Sequence, residues 1–230
     1  MPAPDPKNCV SFVYELSFFD LLSDEEKELI NFNSVLVNYK KGEMICKQGS
    51  FASHVMYLEK GLVKIYLEGN PKDLILTITP EKNLMGLQAL FEGNNTFLYS
   101  ISTYTESAVR LIDIQVFKQL LKQNPLFAFR IINILNESTS QSYGRFLSLT
   151  QKQLHSRLAD ILLCLSHKIF NSVSFELPIS RSDLSDLTSM STESVIRILK
   201  DFKDDKIIDI NNKSITLLDL PRLNSISAKG

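Results

Sequence analysis

Between Ser180 and Leu218 the chain reads SRSDLSDLTSMSTESVIRILKDFKDDKIIDINNKSITLL, and few folds accommodate that pattern. Ser180 with Asp183 three residues on predicts a helix start, since both side chains can satisfy free N–H groups of an opening turn. Leu184 and Leu187 share one face, and the periodicity stops at Thr188, Ser189 and Met190. Ser191 offers a second cap. Val195, Ile198, Leu199 and Phe202 then form the apolar stripe of a second helix, leaving Thr192, Glu193, Ile196, Arg197 and Lys200 on its other faces. Next, Ile207, Ile208 and Ile210, the pair Asn211 and Asn212, and Ile215, Leu217 and Leu218 predict strand, turn and strand.

Two helices at a tight turn followed by a hairpin predict a winged helix-turn-helix, whose second helix enters a major groove. Arg can bond guanine O6 and N7 and Glu can accept from cytosine N4, while Ile196 either meets a thymine methyl or is an incidental apolar surface residue. The alternative is an amphipathic helix pair whose polar face meets only water.

The chain has 230 residues, enough for two modest domains, and its 44% hydrophobic content is ordinary for a globular protein. No apolar run has the length a bilayer requires, and MPAPDPKNCV lacks the basic and apolar regions of a secretory signal, so a cytoplasmic protein without membrane contact is expected. Cys9, Cys46 and Cys164 are widely spaced and follow no metal pattern, which predicts reduced thiols and no metal site. A net charge of −1 argues against nonspecific coating of nucleic acid. From Thr150 onward 11 Lys and Arg stand against 10 Asp and Glu, and 14 against 16 before it, so any DNA affinity must come from a few placed contacts.

In chain order, a Pro-rich arm over residues 2 to 8 precedes a short helical entry, with Ser23 as a cap. From Val35 to Ile112 about eight short strands alternate with glycine-bearing turns, the pattern of a barrel or sandwich: Val35 to Tyr39, Met44 to Cys46, Val55 to Glu59, Leu62 to Leu67, Leu74 to Thr79, Leu84 to Leu87, Phe97 to Thr103 and Ala108 to Ile112. Asn124 and Pro125 then end one helix and open a long one, Leu126 to about Lys152. Along it Ala128, Ile132, Leu135, Thr139, Ser142, Phe146 and Leu149 recur at spacings of three and four, a seam that predicts a homodimer, the alternative being a helix packed inside its own domain. Another amphipathic helix over Gln153 to Phe170 and a short strand at Phe175, Leu177 and Ile179 lead into the helix pair. The expected fold is thus α+β, with a sensor β-roll over residues 1–125, a dimerisation helix over 126–152 and a winged helix-turn-helix domain over 153–230.

This organisation resembles the cAMP receptor protein and FNR family of bacterial transcription regulators. KGEMICKQG is similar to that family's entry into the β-roll, EKGLVKIY to its central hairpin, LMGLQALFEGN to its phosphate-cassette region and STESVIRILKDFKDDKII to its recognition helix. The resemblance places Glu193 and Arg197 at the family's Glu-x-x-x-Arg positions, which read half-sites of a palindrome, and Arg181 at a backbone-contacting position. It implies DNA contacts from Arg181, Ser191, Thr192, Glu193, Ile196, Arg197 and Lys200, with duplex DNA and RNA polymerase as partners. Three departures stand out. Ser189 occupies the turn position usually held by Gly, so the turn must hold Ser at positive φ or bend differently. Thr192 stands where the cAMP-responsive member has Arg. Leu87, Phe97 and Leu98 occupy the positions of the Glu, Arg and Ser that hold the nucleotide.

An anion among Leu and Phe side chains would lose hydration without a partner, so cAMP binding is not expected. The resemblance implies an effector pocket at Gly86, Leu87, Gln88, Phe97 and Leu98, with Ser142 and Tyr143 from the long helix, suited to an unknown small apolar molecule, a haem or nothing. A haem-dependent regulator of gas or nitrosative-stress sensing stays open, with Pro2, Met85, His54 and Cys46 as loose axial candidates. No cofactor is predicted. The sequence holds no Gly-x-Ser-x-Gly, no His-Glu-x-x-His and no phosphate-binding Gly-Lys-Ser/Thr loop, so it is not read as an enzyme. The reading is a sequence-specific transcription regulator, activator or repressor, and its rival is a β-roll scaffold module whose helix pair makes only protein contacts.

Overall fold

A computed structural model describes Ser11 and residues 18–229, which form two compact units. The first holds residues 18–68 and 78–139, the second Ser11, 69–77 and 140–229.

In the first unit, helix α1 (Asp24–Phe32) starts at a capping box: Glu26 N donates to Ser23 Oγ at 3.2 Å, and Ser23 N to Glu26 Oε2 at 2.9 Å. Strands β1 (Ser34–Tyr39), β2 (Met44–Cys46), β3 (His54–Lys60), β4 (Leu62–Leu67), β5 (Leu74–Pro80, of which residues 74–77 are counted with the second unit), β6 (Asn83–Met85), β7 (Ser100–Thr103) and β8 (Ser107–Asp113) follow in chain order. They form two four-stranded sheets, β1-β8-β3-β6 and β2-β7-β4-β5, and every register determined is antiparallel. Val55, Leu58, Val63, Ile78, Ile101, Val109 and Ile112 are fully buried. At Gly61, with φ +109°, an added Cβ would lie 2.2 Å from Ser107 Oγ, so only glycine fits.

Helix α2 (Ile114–Gln123) is capped by Asp113, whose carboxylate accepts from Gln115 N at 2.8 Å and Val116 N at 3.1 Å. As expected, Asn124 and Pro125 break the chain there. Asn124 also starts α3 (Pro125–Gln151), because its Oδ1 accepts from Phe127 N at 2.9 Å while its Nδ2 donates to Leu21 O and Glu26 Oε2. Phe127, Ile131 and Ile134 are the buried face of α3, and Phe127 meets Phe117 of α2 edge to face at 5.3 Å.

The expected seam on α3 is partly exposed in the single chain. Ala128, Leu135 and Leu149 are half-buried, whereas Phe129, Ile132, Asn136, Thr139, Tyr143, Phe146 and Thr150 are all exposed at spacings of three and four. Phe129 and Phe146 are 64% and 68% exposed, values far from those of core phenylalanines. Of the expected seam, Ile132, Thr139, Ser142 and Phe146 are exposed in the single chain. Ser142, assigned to both the seam and the effector pocket, and Tyr143, assigned to the pocket, are exposed on this helix.

In the second unit, α4 (Leu154–Cys164) is buried along most of its length and continues into a wider turn at Leu165–Ile169. Strand β9 (Ser174–Glu176), α5 (Arg181–Thr188), α6 (Thr192–Asp204), β10 (Ile208–Asn211) and β11 (Ser214–Leu217) follow, the strands pairing antiparallel in the order β10-β11-β9. A final helix, α7 (Leu220–Ala228), was not expected.

Three strand boundaries also move. β6 ends at Met85 rather than Leu87 because Gly86 turns left-handed, β7 begins at Ser100 rather than Phe97, and β9 ends at Glu176 before Ile179. Cys46 is a free, buried thiol as expected, and burial pushes it up to about 12. Cys164 departs from that expectation: it is disulfide-bonded. Among the described residues no helix is long and apolar enough to cross a membrane, and no cluster of metal-ligating side chains forms.

Candidate nucleic-acid interface

The helix pair is built by short-range caps. Asp183 N donates to Ser180 Oγ at 3.0 Å and Ser180 N to Asp183 Oδ2 at 2.9 Å, closing a capping box on α5. Leu184 and Leu187 are fully buried. The helix ends where Thr188 Oγ1 bonds back to Leu184 O at 2.6 Å and Ser189 adopts φ 52°, ψ 43°. Of the two possibilities for this turn, serine at positive φ is the one realised. An L side chain in that region costs about 1–2 kcal/mol. Ser189 is exposed, so Ser189→Gly is expected to stabilise the unit by about 0.5–1 kcal/mol after the added freedom of the unfolded chain is offset, read as a higher thermal midpoint. A lower midpoint would contradict that account.

Ser191 caps α6, accepting from Ser194 N at 3.2 Å, and Val195, Ile198, Leu199 and Phe202 seat the helix with its other face outward. Glu193, Ile196, Arg197 and Lys200 are exposed along that face, while Thr192 is half-buried. The Glu193 carboxyl is held below its ordinary value by its own backbone N–H and by the Ser191 hydroxyl, which keeps it an acceptor. Neighbouring carboxylates are engaged elsewhere: Asp201 with His155 at 3.4 Å, Asp205 with Arg222 at 2.6 Å and Asp209 with Lys203 at 3.3 Å. Arg197 and Lys200 are exposed and enter no ion pair within 4.0 Å with a described residue. Arg181, at the first turn of α5, is half-buried, and desolvation lowers its guanidinium from the usual range. The β10–β11 turn carries Asn212 at φ 54° beside this helix pair in sequence.

In the β-roll, the cassette residues come together in part. Gly86 has φ 82°, ψ 7° and opens a short turn over Leu87–Leu90, with the ring edge of Phe97 within 3.4 Å of where a Cβ would stand. Leu87 and Phe97 are buried and Leu98 is exposed. Tyr99, a residue the sequence reading missed, closes the cassette. Its hydroxyl accepts from Gly86 N at 2.9 Å and donates to Gln88 Oε1 at 2.7 Å. The backbone donor that an anion would need is already satisfied. The signal for it was a hydroxyl-bearing aromatic in the strand approach directly after the apolar pair Phe97 and Leu98. Of the loose haem-ligand candidates, Met85 is a core residue of β6, Cys46 is held protonated by burial, His54 Nδ1 lies 2.7 Å from Ser53 Oγ and Pro2 lies outside the described residues.

Comparison with known proteins gives two family matches: residues 156–226 match the Crp-like helix-turn-helix domain and residues 36–124 the cyclic nucleotide-binding domain. The chain is 24% identical over 194 residues to the global nitrogen regulator of Nostoc sp., covering 81% of this chain and 86% of the relative. It is 26% identical over 188 residues to the cAMP-activated global transcriptional regulator CRP of Salmonella typhimurium, covering 78% and 87%. Among solved structures, FixK2 from Bradyrhizobium japonicum superposes with a TM-score of 0.78 at 20% identity, covering 86% of this chain and 98% of that one, which shows a shared fold.

Proposed function

This chain belongs to the CRP/FNR family of DNA-binding transcription regulators, and from that premise we propose that it is a homodimer reading a palindromic duplex with α6. The family is one of transcription regulators rather than enzymes. Residues 1–125 act as the sensor, 126–152 as the dimerisation helix and 153–230 as the reader. The observation that carries the reading is the outward stripe Glu193, Ile196, Arg197 and Lys200, whose two cations enter no ion pair among the described residues. Arg197 bonds a guanine edge, Glu193 accepts from cytosine N4, Ile196 meets a thymine methyl, and Ser191, Thr192, Arg181 and Lys200 hold the phosphate backbone. The exposed α3 stripe supplies the dimer contact, and two α6 helices then enter successive major grooves about one helical turn apart. The setting is the cytoplasm, with RNA polymerase as the further partner.

The effector of this β-roll is not cAMP. Leu87, Phe97 and Leu98 give an anion no partner, and Tyr99 occupies the Gly86 N–H. The loose haem-ligand candidates give that alternative little support, and a scaffold role leaves the exposed cations of α6 unexplained. The pocket assigned to Gly86, Leu87, Gln88, Phe97, Leu98, Ser142 and Tyr143 takes an unidentified small molecule or none. Control follows from a shift in the population of α3 arrangements, which sets the separation of the two reading helices.

Selection from random duplexes is expected to enrich a palindrome. On that palindrome Arg197→Ala costs about 1–3 kcal/mol and relaxes preference at one base per half-site, whereas Lys200→Ala weakens cognate and scrambled DNA alike. Titrations on both duplexes check it: equal losses on the two for Arg197→Ala remove its reading role.

A further inference from the structure

The last carbonyls of a helix have no partner within it, and they carry the negative end of its dipole. At the end of α5 the following donors, Ser189 N and Met190 N, both return to Ser185 O. Leu187 O and Thr188 O are met by guanidinium groups instead. Arg145 Nη2 of α3 donates to Leu187 O at 2.5 Å, and Arg157 Nη1 of α4 donates to Thr188 O at 3.3 Å. Arg145 is 8% exposed. A guanidinium so deeply placed is unusual, because its charge loses water and must be compensated in place. Burial pushes Arg145 down to about 10, the attraction of Asp160 opposes that, and Arg157 adds to it, so the group stays charged at neutral pH.

The position of Arg145 on α3 gives the contact its meaning. Tyr143 and Phe146, its neighbours in sequence, face outward on the exposed stripe, while Arg145 points inward to the end of α5. Leu187 lies four residues before Ser191, the cap of α6. One turn of α3 therefore carries a dimer-facing surface on one side and, on the other, a fixed bond to the turn that launches the reading helix. The same stretch is tied to α4 by Ser148 Oγ, which donates to Asp160 Oδ2 at 3.0 Å.

We propose that Arg145 is a positioning residue for DNA reading: through Leu187 O it locks the helix-turn-helix to the dimerisation helix and so fixes the spacing between the two α6 helices. The proposal rests on the reading of α6 as a recognition helix of a dimer. It separates two properties that a purely structural role would leave linked, since half-site sequence is read by Arg197 and Glu193 while half-site spacing is set by Arg145.

The test uses the full chain and duplex libraries carrying the selected half-sites with a variable spacer, after circular dichroism and sedimentation have shown each variant folded and dimeric. Wild type is expected to prefer one spacer by at least about tenfold over spacers one base pair longer or shorter, as half-site geometry requires. Arg145→Met keeps the same half-site and narrows that preference to within about threefold, about a third of the original discrimination. If Arg145→Met does not fold, Arg145→Lys decides, because it keeps the charge and loses the planar fork. A broadened spacer profile upholds the proposal, and a profile identical to that of wild type overturns it, whatever the loss in affinity. A wild-type chain that enriches no half-site overturns the DNA reading along with it, whereas an enriched half-site with unchanged spacer profiles overturns the role of Arg145 alone.

Discussion

Asp160→Ala is expected to destabilise the second unit by about 3–5 kcal/mol, the usual cost of removing one partner from a buried ion pair. Lys152 Nζ lies 3.0 and 2.9 Å from the two oxygens of Asp160, and the side chains are 15% and 3% exposed. Ser148 Oγ and Ser227 Oγ donate to the same carboxylate, so one group ties α3, α4 and α7 together. Alanine would leave the Lys152 ammonium with the carbonyl of Ser227 at 2.7 Å, and Arg145 without its nearby anion. Urea unfolding of the full chain checks this, and a loss below about 1 kcal/mol would mean that the lysine escapes to water with little penalty. Asp160→Asn separates the causes: it preserves the shape and some hydrogen bonding, and its cost isolates the missing charge.

Phe127→Ala is expected to cost the first unit about 3–5 kcal/mol, because a fully buried aromatic leaves a cavity that its neighbours fill incompletely. Phe127 sits in the opening turn of α3, its N–H held by Asn124 and its ring against Phe117. Phe129, two residues on, is the control. Exposed in the single chain, its replacement by Ala leaves chemical stability of the unit unchanged and weakens association between copies. Denaturation curves and sedimentation run together should show the two losses in different measurements. Equal destabilisation of the unit by both substitutions would contradict the assignment of inward and outward faces.

The helix pair was legible because its signals are local. Ser180 with Asp183, the broken period at Thr188 to Met190 and the Ser191 cap each act within four residues, and the structure uses all of them. The existence of α3 was equally plain, marked by Asn124 and Pro125. Which of its apolar faces meets its own unit was less plain, because the helix is apolar on two sides: Phe127, Ile131 and Ile134 are buried while Phe129, Ile132 and Phe146 are exposed. Periodicity alone cannot apportion two stripes between two partners. Helix α7 escaped notice for the opposite reason, having only Leu223 buried and a proline in its first turn, with its anchoring supplied by Lys152, Ser156 and Asp160 of distant elements.

Within the candidate sites, exposure of Glu193, Arg197 and Lys200 followed from the apolar stripe opposite them. Arg145 did not, since arginine in a helix is ordinarily read as a surface residue, and only the orphan carbonyl at Leu187 explains its burial. Tyr99 was hidden similarly. The cassette was read for the residues an anion needs, and the hydroxyl that meets Gly86 comes from 13 positions away.

That phenol is fastened to the same chain as the amide it meets, so a free anion seeking the cassette contends with a tethered rival at the millimolar effective concentration typical of intramolecular groups. Any anion reaches the Gly86 amide only by displacing the Tyr99 hydroxyl. The switch, if thrown by a small molecule, answers to one whose remaining atoms grip the roll firmly enough to evict its built-in occupant.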